Sequence, residues 1–87
     1  SLAPFEFRER CYTMASRDRI RYEFETDQPV EFDIHFHDGL TVRYAVKRTT
    51  NSVNQTPFVA QKDQRYCLMW FNKGLTRATL KYHIVEQ

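Results

Sequence analysis

The chain has 87 residues, with 13 Lys plus Arg against 11 Asp plus Glu and a formal net charge of +2. That length gives one small domain, residues 1–87, whose core must draw on seven Phe, five Tyr and one Trp. The charges are intermixed, so nucleic acid is not an expected partner, and no apolar run approaches the roughly 20 residues of a membrane-spanning helix.

Phe5 and Phe7 alternate with Glu6 and Arg8, which predicts an N-terminal strand over residues 5–12. Residues 14–19 read as a loop. Ile20, Tyr22 and Phe24 then alternate with Arg19, Arg21, Glu23 and Glu25, a half-buried strand that Thr26-Asp27-Gln28-Pro29 ends with turn chemistry. Val30, Phe32, Ile34 and Phe36 alternate with Glu31, Asp33, His35 and His37, and the turn pair Asp38-Gly39 closes that strand. Val42, Tyr44 and Val46 predict the next strand, with Thr41, Arg43 and Lys47 outward.

Residues 48–57 are polar and turn-prone and read as a ten-residue loop of the kind that carries function. Phe58–Ala60 makes a short strand. Tyr66, Leu68, Trp70 and Asn72 share one face of a further strand, Gly74 marks a turn, and Leu80, Tyr82 and Ile84 share one face of the last. No helical periodicity and no internal repeat is present. The pattern predicts an all-β fold, an antiparallel, jelly-roll-like β-sandwich of about seven or eight short strands. Its expected core includes Tyr22, Phe24, Phe32, Ile34, Tyr66, Leu68, Trp70 and Tyr82. Asn72, at a strand end, is expected to satisfy backbone groups of the Lys73-Gly74 turn.

Asp33, His35 and His37 project from one strand face, and His-x-His on a strand can set two imidazoles on one metal. His83 or Glu86 would have to complete such a site; the competing reading is a solvated polar face. Arg17, Arg19 and Arg21 also share a face. A hairpin through Thr26–Pro29 leaves the register open, and some registers set Arg21 against Asp33 and Arg19 against His35 or His37, with each cross-strand pair contributing roughly 0.2–1 kcal/mol. The alternative groups Arg17, Arg19, Arg43, Lys47 and Arg48 into a patch for acidic lipid headgroups or an acidic peptide.

For catalysis the inventory is poor. Two glycines leave no phosphate loop, and no nucleophile elbow or zinc-peptidase motif occurs. Cys67 with His83 would form a thiol–imidazole pair, but both lie in regular strand where a nucleophile is hard to expose. No enzymatic activity and no cofactor is therefore expected. Asn54-Gln55-Thr56 fits a glycosylation acceptor that Pro57 weakens. Cys11 and Cys67 allow one disulfide, and two separate thiols in a reducing compartment is the favoured reading.

Across most of its length the chain resembles the GOLD (Golgi dynamics) domain family. Cys11 in the first strand, Ile20-Arg21-Tyr22-Glu23-Phe24-Glu25-Thr26, Val30-Glu31-Phe32-Asp33-Ile34-His35-Phe36, Tyr66-Cys67-Leu68-Met69-Trp70-Phe71-Asn72 and Leu80–Ile84 follow the family's strand motifs in order. Gln64-Arg65 stand where many members have a Gly before the closing-strand Tyr. Met69 stands where the secretory branch carries its second paired cysteine, and Trp70 is similar to the cytosolic branch found beside lipid-transfer domains. The resemblance therefore implies unpaired cysteines and favours the cytoplasm over a secretory lumen. It also implies a non-enzymatic protein–protein interaction module of the trafficking or adaptor kind, within a longer protein. Arg43, Lys47, Arg48, Asn51, Asn54 and Pro57, in and beside the 48–57 loop, are the expected partner-binding residues. An exposed edge strand is a second route, to a partner or to another copy of the chain.

Overall fold

Apolar–polar alternation with β-branched and aromatic residues leaves strands as the only way to bury one side of each segment. A computed structural model, which describes residues 1–87, contains five strands and no helix: β1 (Phe7–Met14), β2 (Arg19–Asp38), β3 (Thr41–Val59), β4 (Gln64–Phe71) and β5 (Leu80–Glu86). All pairings are antiparallel. The hydrogen-bonded order is β1-β4-β2-β3, with β5 also on β2.

The long strands were not legible as such. Thr26–Pro29 does not reverse the chain; it lies inside the 20-residue β2, where on the β3 side these four residues stand opposite Asn51 alone. Turn chemistry there produces a bend rather than a hairpin, and Pro29 sits where the ladder is already interrupted. Consequently Arg21 pairs with Pro57 and Val85, while Asp33 pairs with Lys47 and Met69, and the expected Arg21–Asp33 register is not formed. The true reversal follows Asp38. Gly39, at φ 63°, takes the first position of the two-residue connection to Thr41, a position that demands positive φ.

Residues 48–57 are also strand. β3 pairs only with β2, so it stands at an edge where little besides Val53 and Phe58 is buried, and a polar sequence carries no cost there. A bulge at Ala45 changes the facing. Ile34 pairs with Val46 but His35 pairs with Tyr44, so Val42 and Tyr44 lie on the His35 side while Val46 joins Ile34. At the N-terminus, Phe5 is in a turn with φ 64° and is exposed, so β1 begins at Phe7 and not at residue 5.

The bend in β2 lets two stretches of one strand pack on each other. Phe24 and Phe32 ring centroids are 4.8 Å apart, Phe24 meets Trp70 edge-on at 5.8 Å, and Tyr82 stacks on Trp70 at 4.7 Å. Tyr22, Ile34, Leu68 and Tyr66 complete this buried cluster, Tyr66 lying between Phe36 and Phe58. Each aromatic pair adds about 0.5–1.5 kcal/mol beyond burial. Asn72 is fully buried and fully bonded. Its Nδ2 donates to the carbonyls of Leu2 (3.0 Å) and Thr76 (2.9 Å), and its Oδ1 accepts from Gly74 N (2.8 Å) and Gln28 Nε2 (3.1 Å). One side chain thereby ties the N-terminus, the turn after β4 and the β2 bend together.

Candidate functional site

The β1-β4-β2-β3 register aligns side chains in rows across the sheet, because residues directly opposite share a face. On the face away from the aromatic core one row reads Cys11, Cys67, His35, Tyr44. The adjacent row reads Glu9, Met69, Asp33, Lys47. Chemistry-bearing groups from separate parts of the sequence therefore converge on His35.

Cys11 and Cys67 form a disulfide, with Cα atoms 4.0 Å apart. This corrects the expectation of separate thiols. The register sets the two residues directly opposite on neighbouring strands, and a signature position in sequence carries no information about that. A disulfide persists in oxidising compartments, so the argument for the cytoplasm falls with the free thiols.

His35 is 6% exposed and Asp33 8% exposed, which is unusual for polar groups outside the apolar core. Each is held by a specific contact. Asp33 Oδ1 is 2.5 Å from His35 Nδ1, and Glu9 Oε2 is 3.3 Å from His35 Nε2. A neutral imidazole donates to only one of these carboxylates; a protonated one donates to both. Burial raises the Asp33 carboxyl above its ordinary value, Glu9 adds to that shift, and the hydrogen bond and charge of His35 and the charge of Lys47 oppose it. Glu9, His35 and Cys67 offer ligand atoms that all lie within 4.8 Å of one another.

The predicted metal set is thus rearranged. Asp33 is committed to the Nδ1 side of His35, while His37 is exposed at the strand end, its ring 5.7 Å from that of His35. His83 lies opposite Glu23 and Glu86 opposite Ile20, both on β5 in the other half of the sheet, so neither completes a site with Asp33 and Cys67 has no partner in His83. Glu9 escaped the sequence reading, and Cys11 entered it only as a possible disulfide partner of Cys67. The available signal was the spacing Glu9-x-Cys11, the same as Asp33-x-His35 on one strand face, but strand order was needed to join them.

The six expected partner-binding residues all fall on β3, and they do not form one patch. Lys47 faces with Asp33, its Nζ 4.5 Å from the Tyr44 ring centroid, whereas Arg48 pairs with Phe32 and Arg43 with Phe36 on the opposite side. Arg43 makes an exposed ion pair with Asp38 at 3.5 Å. Asn51 accepts a long hydrogen bond from Thr26 at its carbonyl, Asn54 accepts one from Thr56, and Pro57 stands opposite Arg21. Arg17 occupies a turn with φ 76° and its N–H donates to Ala60. The headgroup-binding set is therefore divided between a turn and two sheet faces. Of these six only Asn54 lines the surface depression that also involves Phe24, Val53 and Tyr82. The second exposed feature is the β2–β3 hairpin end, where Leu40 is fully exposed and Val42 and Tyr44 are 40% and 51% exposed.

No protein-family model matches the chain, and no curated protein matches it.

Proposed function

We propose that this chain is a GOLD-like β-sandwich acting as a non-enzymatic protein–protein interaction module of the trafficking or adaptor kind, working in an oxidising compartment. The order of strand motifs supports the family reading. Support for the sandwich comes from the β2 bend, which sets Phe24 and Tyr82 of one half against Phe32 and Trp70 of the other.

One observation carries the interaction role. β3 bonds to β2 alone, so the outer edge of Thr41–Thr50 has no strand partner, and its hairpin end exposes Leu40, Val42 and Tyr44. Unpaired edges are normally blunted by charge, proline or a covering segment. Here Arg43, Lys47 and Arg48 give partial protection beside an apolar end. An extended segment of a protein partner would complete the ladder with backbone hydrogen bonds and use Val42 and Tyr44 for side-chain contacts.

A photo-reactive residue placed at Tyr44 should capture the partner, and hydrogen exchange should then show new protection in β3 amides over 41–50. Val42→Lys with Tyr44→Lys should abolish both without unfolding the domain. A partner that leaves β3 exchange unchanged and survives the double substitution would rule out this edge as the binding site.

A further inference from the structure

The row Cys11–Cys67–His35 with Glu9 beside it contains the parts of a metal site that the disulfide keeps apart from metal. We propose that Cys11, Cys67, His35 and Glu9 form a redox-gated zinc site: a disulfide when oxidised, a four-ligand metal centre when reduced.

The donor set comes first. Two thiolates, one imidazole and one carboxylate suit a tetrahedral zinc ion, with ligand bonds of roughly 2.0–2.3 Å. Three of these groups already converge, since ligand atoms of Glu9, His35 and Cys67 lie within 4.8 Å of one another. The fourth, the Cys11 sulfur, is bonded to Cys67 and stands in the same row. They come from three neighbouring strands whose register is fixed by backbone pairing, so reduction frees the two sulfurs without dismantling the frame.

The orientation of His35 is the second and independent observation. Metal-bound histidines usually give their other ring N–H to a carboxylate, which fixes the tautomer and strengthens the ligand. Asp33 Oδ1 stands 2.5 Å from Nδ1 of His35, placed to accept that N–H in the Nδ1-protonated tautomer, which leaves Nε2 free to ligate, 3.3 Å from Glu9 Oε2. Asp33 is itself buried, and no apolar-core role explains it on this face. Asp33 is therefore a positioning residue rather than a ligand, which separates this site from the Asp33, His35, His37 set.

The redox step balances with a dithiol as reductant. Two electrons and two protons pass from the dithiol to the two sulfurs; the Cys11–Cys67 bond breaks and the reductant closes to its own disulfide. Zinc then displaces the two thiol protons, while Glu9 and neutral His35 each give a lone pair. A low-molecular-weight disulfide reverses the sequence by accepting the two electrons, and zinc leaves as the cysteine bond re-forms.

The test uses the full chain, reduced under anaerobic conditions with a water-soluble trialkylphosphine that takes oxygen from one water as two hydrogens go to the sulfurs. After desalting, zinc is added and metal content is measured with competition against a chromophoric chelator; cobalt replaces zinc for spectroscopy. The expected result is one zinc per reduced chain, none on the oxidised chain, and a cobalt spectrum with thiolate charge transfer and tetrahedral bands. Asp33→Asn should keep the stoichiometry and the cobalt spectrum but weaken affinity about 10–100-fold. Glu9→Gln and His35→Gln should alter the cobalt bands; should the oxidised His35→Gln chain not fold, partly exposed Glu9 carries that arm. Equal zinc on the oxidised chain, an unchanged cobalt spectrum in Glu9→Gln, or a reduced chain that stays unfolded with zinc would each overturn the proposal.

Discussion

Replacing both Cys11 and Cys67 by alanine tests the most consequential covalent feature of the fold. The bond closes a loop with a sequence separation of 56. Loop-closure entropy for that length is about 14 cal/mol/K, or about 4 kcal/mol at 25 °C. Domains of this size have total stabilities of roughly 4–13 kcal/mol, so the loss removes a large part of the margin. It translates into a fall in Tm of roughly 15–30 °C. Trp70 is the only tryptophan and is fully buried, so its fluorescence reports unfolding directly in a urea titration. The parent chain in excess reductant and without metal should match the double variant. A double variant within about 1 kcal/mol of the oxidised parent would refute the reasoning, because it would mean that the β1–β4 ladder already restricts the unfolded chain or that the bond adds no constraint.

Asn72→Ala should cost roughly 1–3 kcal/mol, since it leaves the Gly74 N–H without a partner and strips one of two bonds from the Leu2 carbonyl, the Thr76 carbonyl and Gln28 Nε2; thermal unfolding measures the loss, and faster exchange at the Leu2 and Ala78 amides, which bond to each other's carbonyls, localises it. Gly39→Ala should cost about 1 kcal/mol through backbone strain alone, because an added Cβ meets nothing within 4 Å, and Gly39→Asn should recover part of it in the same melts. For Asp33, burial places the folded carboxyl above its ordinary 3.8, so the folded state holds the proton more tightly than the unfolded state. Its contribution is therefore most favourable below the ordinary value and declines as pH rises through the folded one. The stability of the parent relative to Asp33→Asn should fall across that acid window and level off above it; a difference that rises with pH in urea titrations would contradict the assigned cause.

Period-two alternation made the individual strand faces legible, because burial on one side of a strand repeats every second residue whatever the strand pairs with. Phe32, Ile34, Leu68 and Trp70 accordingly sit at 0% exposure. Where the alternation carries no information, the reading failed. β3 is an edge strand, so burial imposes no period on residues 48–57 and they read as loop. Thr26–Pro29 holds turn residues whether the chain reverses or merely bends, and only long-range pairing with β4 and β5 decides between the two.

The candidate site failed to show for a related reason. His35 was visible as part of a His-x-His strand, but its partners lie on β1 and β4, and adjacency across a sheet is a property of strand order rather than of spacing. The same adjacency decides the cysteines. Once β1 pairs with β4 so that Tyr12 meets Tyr66 and Arg10 meets Leu68, Cys11 has no other residue to face than Cys67. One register therefore fixes the disulfide, the approach of Glu9 to His35 and the gate on the proposed metal centre. A one-residue slip of β1 would turn Glu9 and Cys11 to the core side and dismantle all three together, whereas loss of the Glu9 carboxylate alone would leave the disulfide in place.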